Sequence, residues 1–163
     1  MLEGPVAAGS TLRPTVRVLL LDETNRLLLL LMQAMDGPIW CPPGGGIEPG
    51  ETARQSAVRE LAEETGLIVS DVGAEVWHRR YVLPVAGGLL DMRERWFVCR
   101  VPGFAVDTAG FTPEEVALVT AWHWWTQTEL AGTHERLVPR GLAAHLATLL
   151  RDGPPLRPYD VGR

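Results

Sequence analysis

Hydrophobic positions change their period several times along this chain, and each change marks an element. From Pro14 the stretch "PTVRVLLLDETNRLLLLLMQ" holds two apolar, β-prone runs around a polar turn at residues 22–25. That pattern predicts a hairpin whose second arm is buried on both faces. The next stretch, "GPIWCPPGGGIEPGE", is so dense in proline and glycine that it predicts a loop, with a short strand at residues 39–41. A helical period then takes over: Ala53, Ala57, Val58, Leu61 and Ala62 fall on one broad arc. The ends of this helix can be read directly. Thr52 with Gln55 forms a capping-box pattern, Gly66 suits a left-handed stop and Leu67 can close the apolar contact beyond it. The predicted helix is 52–65.

Beyond it, "EVWHRRYVLPVAGGLLDMRERWFVCRV" predicts two long strands joined at Gly87-Gly88. Thr112 to Glu115 starts a helical turn, "ALVTAWHWW" is a further strand, and Thr126 with Glu129 repeats the capping-box pattern before a short helix. A last helix, 139–151, carries Leu142, Leu146, Leu149 and Leu150 on one stripe with Gly153 after its end. Strands first, then one central helix, more strands and more helices predict an α+β fold or a sandwich with a mixed sheet. Residues 1–13 read as an N-terminal extension, 14–152 as the domain, and 153–163 as an irregular tail.

Composition narrows the function classes. A chain of 163 residues, 46% hydrophobic, fits one domain with a real core. Its formal net charge of -5 argues against a broad basic surface for duplex nucleic acid, although a local arginine cluster can still hold phosphates. The longest apolar run, residues 27–32, is too short to span a bilayer, and the N-terminus lacks a basic start followed by an apolar stretch. Cys41 and Cys99 form no CxxC pair, so both read as buried packing residues in a reducing cytoplasm. All fifteen basic residues are arginine, which removes a P-loop lysine and Schiff-base chemistry. The four histidines show no zinc-binding spacing.

The unusual chemistry lies in "RELAEETGL". Glu60, Glu63 and Glu64 stand at i, i+3 and i+4, and each like-charged pair costs roughly 0.2 to 0.5 kcal/mol. Glu60 and Glu64 also border the apolar arc, where desolvation adds to the repulsion. A divalent cation offsets both, and hard oxygen ligands favour Mg²⁺, with Mn²⁺ as a substitute. Mg²⁺ is typically held by a few carboxylates together with water and substrate phosphates, which points to a phosphate-bearing substrate. The bare backbone of Gly44 to Gly46 just upstream lets such a group approach.

Residues 45–67 match the Nudix box at every fixed position: Gly45, Glu51, Arg59, Glu60, Leu61, Glu63, Glu64, Gly66 and Leu67. With the glycine, glutamate and arginine positions fixed at about 7% usage each, a chance match is on the order of one in a million. The flanks "WCPPGGGIEPGE" and "WHWWTQTEL" extend the resemblance to most of residues 17–130. The chain thus resembles the Nudix hydrolases, including MutT-like members. The resemblance implies an α/β/α sandwich with a mixed sheet between helices, and a Mg²⁺-dependent hydrolase that cleaves the diphosphate linkage of a nucleoside diphosphate derivative. It implies Glu60, Glu63 and Glu64 as metal and catalytic carboxylates, the Gly45 carbonyl as a further ligand, Arg59 as the residue orienting them, and Glu51 and Gly66 as structural.

Family members also draw a ligand or base from outside the box, for which Glu94, Glu114 and Glu115 are candidates here. Glu115 lies three residues after Thr112, a capping-box position that explains it without catalysis. Arg79, Arg80, Tyr81 and Arg95 are candidate substrate contacts, and Trp77 with Tyr81 a candidate stacking platform. The alternative for the arginines is an ordinary strand face paired with Asp91 and Glu94. The leading substrate expectation is a nucleoside or deoxynucleoside triphosphate, cleaved to monophosphate and pyrophosphate. ADP-ribose or another nucleoside diphosphate derivative, an RNA end, and a nucleotide-sensing domain without turnover are the alternatives. The expected partner is a small nucleotide, without membrane or duplex nucleic acid, and the family also admits a homodimer.

Overall fold

A computed structural model of the chain describes residues 2–107 and 119–162. Glu114 and Glu115 lie outside the described residues. Seven strands, β1 (Ser10–Leu21), β2 (Leu27–Ala34), β3 (Gly37–Cys41), β4 (Ala74–Val85), β5 (Gly88–Arg100), β6 (Val119–Trp125) and β7 (Tyr159–Asp160), form one mixed sheet among the described residues. Among the described residues the helices are α1 (Ala53–Thr65), α2 (Gln127–Gly132) and α3 (Leu142–Asp152). The path runs β3-β2-β1-β5-β4-β7, with β6 paired to β2.

The long β4–β5 hairpin turns at Gly87-Gly88, as the sequence predicts. The β1–β2 hairpin does not zip up: only Leu21 and Leu27 pair, and β1 instead runs parallel to β5 from Ser10 to Leu21. Arg26 shows why the turn still holds. Asp22, buried, accepts hydrogen bonds from the Thr24 and Arg26 backbones and from the Arg26 guanidinium.

Side chains on β1 alternate between two cores, as the two-residue period of a strand requires. Val16, Val18 and Leu20 pack with Leu28, Phe97 and the Ala57 and Leu61 face of α1. Leu19 and Leu21 pack on the other side with Trp77, Trp96, Trp125 and the leucine stripe Leu142, Leu146 and Leu149 of α3. Helices therefore cover both faces of the mixed sheet, the α/β/α arrangement expected. Cys41 and Cys99 are buried free thiols, and no helix among the described residues is long and apolar enough to cross a membrane.

Both ends of the chain are tied down by contacts that sequence patterns do not reveal. At the N-terminus, buried Asp91 accepts hydrogen bonds from Arg80, Arg93 and the Ala7 amide. Arg80 and Arg93 also donate to the carbonyls of Leu2, Gly4 and Pro5. At the C-terminus, β7 adds to β4 and buries Val161, so the segment expected to be irregular contains one short paired element.

Leu146 is fully buried in the α3 core. Its replacement, Leu146→Ala, is expected to cost about 2 to 5 kcal/mol in urea unfolding; a loss well under 1 kcal/mol would contradict this packing.

Candidate active site

The helix that carries the glutamates is fixed at both ends. Thr52 accepts from the Gln55 amide while the Gln55 side chain accepts from the Thr52 amide, and Gly66 closes the C-terminus in the left-handed region at φ 72°. These caps fix where α1 starts and stops, while its apolar face sets its rotation against the sheet. With Ala57 and Leu61 in the core, Glu60 and Glu64 are buried at 6% and 3% exposure, while the Glu63 side chain is 39% exposed. The three carboxylates therefore share one turn but sit at different depths.

Arg59 gathers this turn. Its guanidinium makes a two-point pair with Glu51 at 2.8 and 3.0 Å, and reaches Glu60 at 2.9 Å and Glu63 at 3.0 Å. It also donates to the Gly46 carbonyl at 2.9 Å, so one planar cation joins loop and helix. Hydrogen bonds from Arg59, then from the Glu48 amide, hold the Glu51 carboxyl down at about 2. The same pairing, led by Glu51, raises the Arg59 guanidinium further above its ordinary value against the opposing effect of burial.

The glycine loop lies along β1 almost as an extra strand. Val18 donates to the Pro43 carbonyl, Val16 to the Gly45 carbonyl and Ile47 to the Pro14 carbonyl. Gly44, at φ 143°, has no room for a side chain, because a Cβ there would strike the Val16 carbonyl. Its amide donates to Glu64 at 2.6 Å. A Cβ on Gly45 would overlap the Glu60 carboxylate. Glycine is thus favoured here by contact with the β1 backbone at Gly44 and with Glu60 at Gly45, as well as by backbone conformation at Gly44.

Among the described residues, no three His, Cys, Asp or Glu side chains converge as a complete metal cage. The donor chemistry nevertheless fits Mg²⁺: carboxylate oxygens of Glu60 and Glu64 meet the glycine backbone, with Glu63 beside them. Mg²⁺ usually takes one or two carboxylates and leaves its other positions to water and phosphate.

The other candidates divide between the two faces of the sheet. Along β5, Glu94 and Trp96 face the α3 side, whereas Arg93 and Arg95 face the α1 side with Phe97. Arg79 donates to buried Glu94 at 3.1 Å and lies 4.2 Å over the Tyr81 ring, whose hydroxyl reaches Glu94 at 3.3 Å. Burial, then the Glu94 charge, pushes the Tyr81 hydroxyl up to about 12. Arg80 is engaged by Asp91 and the Pro5 carbonyl, and Arg95 by Glu75. The four candidate substrate contacts do not form one patch; Arg79 and Tyr81 stand together, while Arg80 and Arg95 serve contacts elsewhere. Trp77 is fully buried against Trp96 and His145 and offers no stacking platform.

Arg79 also lines an open cavity of about 660 Å³ with Ile39, Arg136, Leu137, Val138 and Arg140. The sequence did not single out Arg17, whose guanidinium donates to the Gly44 carbonyl at 2.9 Å and lies 3.7 Å from Glu94. Its signal was present: it is the one charged residue in the run Val16 to Leu21. Burial opposes its charge, but the pull of Cys41, Glu94 and Glu64 outweighs burial and raises its pKa.

Because Glu51 has a depressed folded pKa, its ion pair contributes stability above the ordinary carboxylate range near 4.5 and loses it as pH falls through about 2. Glu51→Gln is expected to unfold at lower urea than the parent at pH 7, with the gap closing between about pH 4.5 and about 2. A gap independent of pH across that window would contradict the pairing.

A family model described as the NUDIX domain matches residues 11–146. A protein of Erythrobacter litoralis named RNA pyrophosphohydrolase is 36% identical over 103 residues, covering 56% of this chain and 61% of its own length. A Cereibacter sphaeroides protein of the same name is 34% identical over 131 residues, 69% of this chain and 74% of its own. Among solved structures, the NUDIX domain of Shewanella oneidensis NrtR, complexed with ADP ribose, aligns at a TM-score of 0.65 with 18% identity, covering 88% of this chain and 91% of that one. At that identity the likeness concerns the fold. The matched family model spans most of the chain and includes the helix and loop described above: the chain belongs to the Nudix hydrolase family.

Proposed function

We propose that this protein is a Mg²⁺-dependent hydrolase that cleaves the diphosphate linkage of a nucleoside diphosphate derivative. One observation carries the reading: Glu60 and Glu64, one helical turn apart and both buried, face a glycine backbone that no side chain could share. Glu60, Glu63 and Glu64, with the Gly45 carbonyl, would hold the cation. When bound, it neutralises charge on the diphosphate and lowers the pKa of the attacking water.

The chain's own groups supply the rest. Arg59 sets the carboxylate orientations while Glu51 fixes Arg59. A carboxylate of this turn takes the proton of the attacking water as its oxygen bonds to phosphorus and the bridging P–O bond of the diphosphate breaks, the bridging oxygen leaving with the departing phosphate group. The cavity lined by Arg79, Arg136 and Arg140 offers cationic and apolar contacts to the remainder of the substrate. It connects to the glycine loop through Arg79, Glu94 and Arg17. Two buried free thiols suit a reducing cytoplasm.

A nucleoside or deoxynucleoside triphosphate is the leading substrate. A second reading, the 5′-triphosphate end of an RNA, is favoured by the names of the relatives and by the arginines around the cavity. The test is a hydrolysis panel of dNTPs, oxidised dGTP, ADP-ribose, dinucleoside polyphosphates, nucleotide sugars and a 5′-triphosphorylated RNA, with and without Mg²⁺. Turnover is expected only with Mg²⁺, and Glu64→Gln is expected to lower it by about 10²-fold or more. Equal turnover by Glu64→Gln would refute the site; tight nucleotide binding without any turnover would identify a sensing domain instead.

A further inference from the structure

Two buried charges, Arg17 and Glu94, stand outside the glutamate turn and carry none of the chemistry assigned to it. The Arg17 side chain is 15% exposed and that of Glu94 is 1% exposed. Burying such groups is costly unless their hydrogen-bonding capacity is well used. Glu94 is well served, by Arg79 at 3.1 Å and by the Tyr81 hydroxyl and the Trp96 indole at 3.3 Å each. Arg17 is not primarily its partner: the Arg17 Nε is 3.7 Å away and makes no hydrogen bond.

Apart from a long contact to the Cys41 Sγ at 3.9 Å, the Arg17 hydrogen bonds go to backbone. Nη1 donates to the Gly44 carbonyl at 2.9 Å and to the Pro42 carbonyl at 3.3 Å. The peptide unit between those two carbonyls is the one joining Pro43 to Gly44, and its N–H is the group that donates to Glu64 at 2.6 Å. On the other side, Val18 holds the Pro43 carbonyl and Val16 the Gly45 carbonyl. The loop is therefore clamped by β1 through both its backbone and this one side chain. Glu94 limits where the guanidinium can go, and Arg79 and Tyr81 limit where Glu94 can go.

We propose that Arg17 is a positioning residue for the hydrolytic site: it holds the loop peptide that aims Glu64 and places Gly45 against Glu60. The proposal rests on the reading of Glu60 and Glu64 as the cation-holding carboxylates. It makes a prediction of unusual sign. Electrostatics alone says that removing a positive charge near Glu64 should tighten the binding of a divalent cation. Loss of positioning should weaken it, and removing such outer-shell support typically costs about 10- to 100-fold in affinity or activity.

Arg17→Met removes the charge and the donors, whereas Arg17→Lys keeps the charge and loses the planar fork. The measurement is Mn²⁺ binding, followed through the electron paramagnetic resonance signal of free Mn²⁺, alongside steady-state hydrolysis of a substrate from the panel. Arg17→Met is expected to bind Mn²⁺ about 10-fold or more weakly and to lose kcat by a similar factor. KM should stay within about three-fold, and Arg17→Lys should fall between parent and Met variant. Unchanged or tighter Mn²⁺ binding, or an unchanged kcat, would overturn the proposal. If circular dichroism shows that Arg17→Met does not fold, Arg17→Lys decides it by the same readouts. Glu64→Gln separates the two levels. If that variant loses Mn²⁺ while Arg17→Met does not, only the role of Arg17 falls; if the parent binds no Mn²⁺ or Glu64→Gln binds it equally, the cation-site reading falls with it.

Discussion

Two carboxylates one helical turn apart, both buried and both directed at the same glycine loop, are the constraint on which the rest of this structure depends. Glu60 and Glu64 cannot be placed there by helix propensity, which is indifferent to their phase, or by hydrophobic burial, which opposes them. They are there because Ala57 and Leu61 fix the helix rotation in the core and because Arg59 and the Gly44 amide receive the charges. The glycine loop is the other half of the arrangement. A methyl group on Gly44 or Gly45 would collide with β1 or with Glu60, so loop and helix can approach only with these residues.

That local geometry makes demands at a distance. The loop must lie along β1, and β1 must therefore leave β2 after a single pair and run beside β5. The parallel pairing in turn places Arg17 near Glu94, and the antiparallel β4–β5 pairing sets Arg79 opposite Glu94. A line of contacts thus runs from the glutamate turn through the loop to the arginine-lined cavity. The exclusive use of arginine suits this line, since a planar guanidinium presents its donors in a fixed fork and can stack on a ring, whereas an ammonium is a point charge on a flexible stem.

Much of this was legible in the sequence, where signals are local. The capping boxes at Thr52 and Thr126, the left-handed stop at Gly66 and the glycine turn at residues 87–88 depend on neighbours within a few positions. The glutamate turn was equally plain, because its spacing and its apolar border lie on one helix. What failed to show were contacts made across long stretches of chain. The β1–β2 turn looks like a full hairpin until the glycine loop takes the edge of β1 that β2 would have used. Arg80 looks free to bind phosphate until the N-terminal segment folds over it and Pro5 takes one of its donors. Trp77 looks like a surface ring until α3 covers it. Arg17 shows only as a charge in an apolar strand, and its target, the Gly44 carbonyl, lies 27 residues away.

We propose that the buried glutamate turn is built to receive a divalent cation, with Arg59 holding its carboxylates in place. Anomalous diffraction from a crystal of this protein soaked in Mn²⁺ addresses it most directly. An anomalous peak is expected within coordination distance of Glu60 or Glu64 carboxylate oxygens and beside the Gly45 backbone. A crystal whose only Mn²⁺ peaks lie elsewhere, with Glu60 and Glu64 still held only by protein groups, would contradict it.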